Sequence, residues 1–384
     1  MRTRLRLAVV LSALALAACQ GAPPLGGSFA DDLSLLQRSI GTVVLTAPTG
    51  ARIAVVPALG GAVMTSTTGG EAAPSFGWLD RPRIAAARRG APMPAGQGED
   101  RCEFGPVGGR FAVLPAVTAT PFAVVEHGAA RIACAGELEL RNAAGTTFRL
   151  AVRREVRLCD GGEVLSGLGV GRDAGVRVVS FETITAVTNA GDTAWTKDGG
   201  LPAPRIVGTF PAHGRAHVMI PFVGGPERYH GAVVLGDESR AREANELRID
   251  LERSLLVATT TSDGAPIAIG PRRAKPVLGG WDAARGVLTL LEFTLPIETQ
   301  DYVDWHGERP DDPFGGAVVT AQPANAPEAG HHLASHAPAL ALAPGGKAVH
   351  VHRTTHLTGP REELATIARR VLGADLGVVP HGER

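Results

Sequence analysis

The chain has 384 residues, and its 38 Lys and Arg are balanced by 38 Asp and Glu, giving a formal net charge of zero. A nucleic-acid surface needs clustered excess positive charge, and this balance gives no argument for one. Glycine (49 residues) and proline (28) are abundant and aromatics make up only 4%, a turn-rich composition of the kind large β proteins have.

The N-terminus carries Arg2, Arg4 and Arg6, then an apolar run from Leu7 to Ala18 broken only by Ser12. This is the pattern of a secretory signal, too short to cross a bilayer core of about 30 Å as a helix. It ends Leu16-Ala17-Ala18-Cys19, which resembles the bacterial lipobox. Residues 1–18 are therefore expected to be a lipoprotein signal peptide, Cys19 the lipidated residue, and 19–28 a small-residue tether. An ordinary signal with an incidental cysteine is the plainer alternative. Gln20 stands where inner-membrane retention would favour Asp, so the expected location is the cell envelope, lipid-anchored at the outer membrane and facing the periplasm or the cell surface. With three leader arginines removed from 38, 35 basic side chains face 38 acidic ones. Cys102, Cys134 and Cys159 remain, an odd count that leaves at least one thiol unpaired in an oxidising compartment. None is spaced as C-x-x-C, so they read as core residues with one optional disulfide. No metal site and no cofactor are expected.

A short helix is predicted over Asp31 to Arg38, and strands separated by turn signals follow. Early strands are predicted at Thr42–Leu45, Arg52–Val56, Phe111–Leu114, Phe122–Glu126 and Arg131–Cys134. From Thr146 to Leu158 the alternation is clean, with Phe148, Leu150, Val152, Val156 and Leu158 on one face and charged residues on the other. Arg154 breaks the pattern on the apolar face; a buried guanidinium needs a partner, and internal pairing is preferred to a pocket. Later strands are predicted at His217–Phe222, Leu247–Leu251, Ser254–Thr260, Val287–Leu295 and Ala348–Leu357. The strongest helical pattern comes last: Pro360 at the first helical position, Leu364, Ile367, Ala368 and Val371 at helical spacing, and Gly373 as the stop. With no internal repeat or linker after residue 30, residues 29–384 read as one all-β domain, a large antiparallel β-sandwich with a few short helices.

The segments VVPALGGAVMTSTTGGEAAPSFGWLD, GQGEDRCEFGPVGGRF, VVSFETITAVTNAGDTAW, IGPRRAKPVLGGWD and PALALAPGGKAVHVHRTTHLTG span residues 55–359. They resemble a family of bacterial lipoproteins and, through it, the galactose-mutarotase-like supersandwich proteins, the fold of aldose 1-epimerases. The resemblance implies a carbohydrate ligand and leaves open epimerase, lyase or glycoside hydrolase chemistry, or sugar binding without catalysis; an envelope scaffold with no small ligand is the further alternative. The His-x-Tyr-Phe-Asn-Leu signature of true aldose 1-epimerases is absent, which counts against epimerase activity itself. Whether the chain is an enzyme, and its oligomeric state, stay open.

Candidate site residues follow from residue chemistry within that frame. Glu99, Asp100 and Arg101 crowd two carboxylates and a guanidinium beside Gly96 and Gly98, suited to sugar hydroxyls or acidic oxygens; a self-paired turn is the alternative. Glu292 lies in a strand apolar on both faces, where desolvation would raise its pKa and make it a general acid or base, a role mutarotase-like enzymes give a Glu in their C-terminal part; pairing with a buried Arg explains it equally. Glu182 is a similar case. His350, His352 and His356 alternate on one face of the last strand, suited to lining a sugar site, with His352 as the proton-transfer partner; a two-His metal pair is the lesser reading. The loop Asp301–Pro313 offers Tyr302, Trp305, His306, Asp304, Glu308, Asp311 and Asp312, aromatic rings beside carboxylates as pyranose recognition requires. Trp78 and Trp195 could add a platform. Arg273 and Lys275, with Arg272, could receive an acidic sugar or brace a turn. His331, His332 and His336 read as exposed loop residues. Arg101, Glu292 and His352 are expected to share one pocket. No nucleophile elbow, P-loop or dinucleotide fingerprint appears.

Overall fold

The computed structural model describes residues 27–376 except 90, 114–120, 172, 212–215, 260–264 and 323–329. The leader, Cys19 and most of the tether therefore lie outside the described residues. Among those described, eighteen strands dominate: β1 (Val43–Thr46), β2 (Arg52–Val56), β3 (Ala62–Thr67), β4 (Arg101–Gly105), β5 (Ala123–His127), β6 (Arg131–Arg141), β7 (Thr147–Leu158), β8 (Arg177–Asn189) and β9 (Ala203–Phe210) in the first half. The second half adds β10 (Ala216–Pro221), β11 (Arg248–Asp250), β12 (Leu255–Thr259), β13 (Ile267–Ile269), β14 (Val277–Asp282), β15 (Val287–Phe293), β16 (Val319–Gln322), β17 (His331–His336) and β18 (Lys347–Thr358). The helices are short: α1 (Phe29–Ser39), α2 (Arg81–Ala87), α3 (Gly161–Gly167), α4 (Glu227–His230), α5 (Glu238–Asn245) and α6 (Arg361–Leu372).

One layer is a ten-stranded antiparallel sheet in the order β11-β12-β10-β14-β15-β18-β8-β7-β6-β5. The facing layer has two parts, a five-stranded sheet β13-β16-β17-β9-β4 and a three-stranded sheet β1-β2-β3. Among the described residues, a bridge between Val63 of β3 and Asp100 joins the two parts. The large antiparallel β-sandwich expected from the sequence is what the chain forms. Its physical cause is the two-residue period: β7 buries Phe148, Leu150, Val152, Arg154, Val156 and Leu158 in alternation with partly or fully exposed neighbours. Those apolar residues meet Ile53, Val55 and Val63 of the three-stranded sheet in one core, while Leu278, Leu291 and Phe293 meet Leu333, Val319 and Ile267 in a second. The far face of the three-stranded sheet is closed by α1 and α2.

α6 packs Leu364, Ile367, Ala368 and Leu372 on the outer face of the ten-stranded sheet, against Leu288, Leu290 and Leu357. Pro360 is its N-cap residue, one position before the helix, and Gly373 ends it at φ 68°. Two expectations need correction. Phe111–Leu114 forms no strand: Phe111 lies in a turn, Val113 makes one bridge to Asn142, and Leu114 is outside the described residues. His331–His336 is a buried inner strand, not an exposed loop. It pairs with both β9 and β16, and those two ladders supply what its small side chains do not.

Candidate active site

The seam between the two parts of the second layer creates the site. Val63 N–H donates to the Asp100 carbonyl, and the Glu99 N–H donates to the Val63 carbonyl at 2.8 Å. This short ladder holds Glu99 at the end of β3 with its side chain turned toward the ten-stranded sheet. Two glycines make the approach possible. Gly98 takes φ 94°, in the left-handed region, and a Cβ on Gly77 would lie 2.2 Å from the Met64 carbonyl oxygen and 3.0 Å from Glu99 Cγ.

Glu99 is fully buried and accepts three hydrogen bonds: from Ser66 N–H at 2.6 Å, from Ser66 Oγ at 2.7 Å, and from His356 Nε2 at 3.0 Å. Three donors on one carboxyl fix its orientation. His356 projects inward from β18, itself buried, with Nδ1 2.9 Å from Thr289 Oγ1 on the neighbouring β15. Phe76 stacks on the imidazole at a centroid distance of 4.7 Å, and Phe210 meets it edge-on at 5.5 Å. The result is a carboxylate and an imidazole in direct contact, enclosed by aromatic rings. Beside them lies a cavity of about 20 Å³, lined by His356, Thr289, Phe76, Asp282, Arg285 and His331. That is room for roughly one water, so a pyranose ring reaches the dyad only through its own substituents or after the mouth widens. A wider hollow of about 410 Å³ lies on the outer face of the ten-stranded sheet over Ala135, Ala151, Ala186 and Lys347, with no histidine in its lining.

The other predicted residues are placed differently. Asp100 and Arg154 are both fully buried and paired with each other, and Thr183 Oγ1 donates to Asp100 at 2.8 Å. Burial pulls the Arg154 guanidinium down to about 9. Asp100 is thus spent on structure. Arg101 points to the opposite side of its sheet, where Nε donates to Glu103 at 2.7 Å and Nη1 to Thr209 at 2.6 Å. There Arg205 also holds Glu103 and lies over the Trp305 ring at 4.0 Å. Glu103 is held low, at about 2, because the attraction of these two arginines overcomes the opposing effect of its burial.

Glu292 and Glu182 lie on the outer face of the ten-stranded sheet, in register with Arg353 and paired with it at 3.8 Å and 2.5 Å. His352 is on the inner face, one residue along the same strand. The pocket expected to unite Arg101, Glu292 and His352 is therefore not formed: the three occupy three separate surfaces. His352 Nδ1 and His350 Nε2 share the Ser335 hydroxyl at 2.8 and 2.9 Å. Burial pushes His350 down to about 4 and His352 well below the usual imidazole value, so both rings are neutral at pH 7.

Arg273 is buried and clamps the carbonyls of Val223, Gly225 and Gly231 with three of its nitrogens; it braces turns. Lys275 is half-buried two residues on. Trp305 is buried against Arg205 and His336, not displayed to solvent, while Asp312 is exposed in a turn. Trp195 packs edge-on against Phe148 in the core. Thr289, Ser66, Phe76 and Arg285 were not read as site residues. Thr289 carried a usable signal: like Arg154, it is a polar side chain on a face otherwise apolar, here that of Val287, Leu291 and Phe293.

Among solved structures the chain is similar to the Slr1438 protein from Synechocystis sp. PCC 6803, at 12% identity and a TM-score of 0.50, covering 84% of this chain and 96% of that one. It is also similar to a galactose mutarotase-like protein from Lactobacillus casei ATCC 334 (12% identity, TM-score 0.47, covering 82% and 100%). A galactose mutarotase related enzyme from Lactobacillus acidophilus follows (9% identity, TM-score 0.45, covering 82% and 97%). The likeness to the Synechocystis protein is one of fold. No curated protein matches the chain. Its sequence matches the family model from residue 27 to residue 381, so the chain belongs to DUF6786, a family of unknown function.

Proposed function

We propose that this chain binds or processes a carbohydrate, with Glu99 and His356 as its acid–base pair. The observation that carries the reading is the 3.0 Å contact between Glu99 Oε2 and His356 Nε2 at the edge of a cavity. A general base must sit within hydrogen-bond reach of its partner and of a place where substrate can stand. His356 accepts or returns the proton, and Glu99 fixes its orientation and stabilises the imidazolium that forms. Asp282 and Arg285 at the same cavity give polar contacts to hydroxyls or acidic oxygens.

One observation favours a purely binding role: Glu99 is already satisfied by three donors, as a structural carboxylate is. The test is calorimetry and turnover on a panel of neutral and acidic saccharides, with wild type, Glu99→Gln and His356→Asn. Turnover lost by about 100-fold or more in both variants, with binding kept, supports acid–base catalysis. Binding without turnover in the wild type assigns the non-catalytic role, and a wild type that binds none of the saccharides overturns the proposal. We further propose that the protein works from the envelope through a lipid on Cys19.

A further inference from the structure

The imidazole of His356 has two neighbours, and only one of them is the carboxylate. Its Nδ1 lies 2.9 Å from Thr289 Oγ1, and Thr289 lines the same cavity. In the tautomer whose Nε2 donates to Glu99, Nδ1 is the acceptor, so the Thr289 hydroxyl donates to it. Carboxylate, imidazole and hydroxyl are then in series, each within 3.0 Å of the next. That is the order of groups that turns a weak alcohol into a nucleophile. The cavity size narrows the substrate further: with room for about one water, it excludes a sugar ring, and a small acyl substituent of three heavy atoms enters as its mouth widens.

We propose that Thr289 is the nucleophile of an acyl-transfer reaction that removes a small acyl group, such as acetyl, from an esterified carbohydrate. The inference rests on the acid–base reading of Glu99 and His356 and adds the reacting atom and the bond broken. Thr289 Oγ1 would attack the ester carbonyl carbon while its proton passes to His356 Nδ1. The carbon–oxygen bond to the sugar then breaks, and the sugar oxygen takes that proton. Water next attacks the acyl-threonine ester, gives a proton to His356, and releases the carboxylic acid as Oγ1 regains its hydrogen. Arg285, a cation on the same cavity wall, can receive the negative charge of the tetrahedral intermediate.

The experiment uses the full chain with two probes, p-nitrophenyl acetate and an acetylated xylo-oligosaccharide, against Thr289→Val, Thr289→Ser, His356→Asn and Glu99→Gln. Hydrolysis by the wild type should persist in Thr289→Ser and fall by at least about 100-fold in Thr289→Val. Quenched wild-type reactions should show an acetyl adduct on the Thr289 peptide by mass spectrometry, a readout that does not depend on any variant folding. Absence of both hydrolysis and adduct in the wild type overturns the nucleophile. So does Thr289→Val retaining an activity that His356→Asn and Glu99→Gln lose, but that result leaves the dyad standing. Saccharide binding without ester cleavage likewise removes this inference alone.

Discussion

Arg154 lies on the apolar face of β7, and its guanidinium meets the Asp100 carboxylate with neither group exposed. Two ions taken out of water are compensated by each other, so removing one leaves the other uncompensated. We expect Arg154→Met to lower stability by about 3–5 kcal/mol in urea unfolding, and Arg154→Met with Asp100→Asn to recover part of that loss. A single-variant loss below about 1 kcal/mol would show that the pair does not act as a buried ion pair. That Arg154 needed an internal partner was legible from one misplaced residue in an alternating strand; that the partner is Asp100 was not. The same limit explains the dyad. Glu99 and His356 each stood out by residue type, but 257 positions separate them, and only the docking of one layer on the other brings them together. Glu292 misled because an apolar run on both faces reads as burial: α6 covers Leu288 and Leu290 on the same face, whereas Glu292 lies at the surface beside Arg353. Glu292→Gln should therefore change stability by less than about 1 kcal/mol, as exposed ion pairs do, and leave any saccharide activity intact; a turnover assay and a melting curve check both.

β18 is the element on which most of the chemistry is threaded. Its alternation sends His350, His352 and His356 inward, with Val349, Val351 and Arg353 outward. The pattern was readable because strand geometry forces it. β17 was not, since HHLASH lacks the β-branched residues and the Phe, Tyr or Trp that mark a strand, and its extended form depends on two neighbours. Together these strands bury His331 and His350, each pushed down to about 4 by desolvation. In the unfolded chain such rings titrate near 6.5, so between about pH 6.5 and 4 the unfolded state binds more protons than the folded one. Stability is complete above pH 6.5 and falls as the pH drops through that window, by up to about 3 kcal/mol for each such ring. Urea midpoints measured from pH 7.5 to 4 should decline accordingly. The decline should shrink in His350→Gln; an unchanged slope would mean that His350 is not buried neutral.

At the scale of the whole molecule, composition and alternation carried the fold class, because a sandwich of antiparallel strands repeats one local rule many times. They could not say that the second layer divides into five and three strands, joined among the described residues by the bridge at Val63 and Asp100. No helix among the described residues is long and apolar enough to cross a membrane, and the proposed attachment rests on the thiol of Cys19 alone. Cys19→Ser should abolish incorporation of a labelled fatty acid and let the protein be extracted without detergent; equal labelling of the variant and the wild type would refute the anchor. The split layer has a consequence for folding as well. Ser66 belongs to the three-stranded sheet, Glu99 to the bridge segment and His356 to the ten-stranded sheet, so no one sheet contains a working site. A partly unfolded form that kept its largest sheet would preserve much of its strand signal yet have no dyad, so the proposed activity would be a more exacting gauge of assembly than secondary structure.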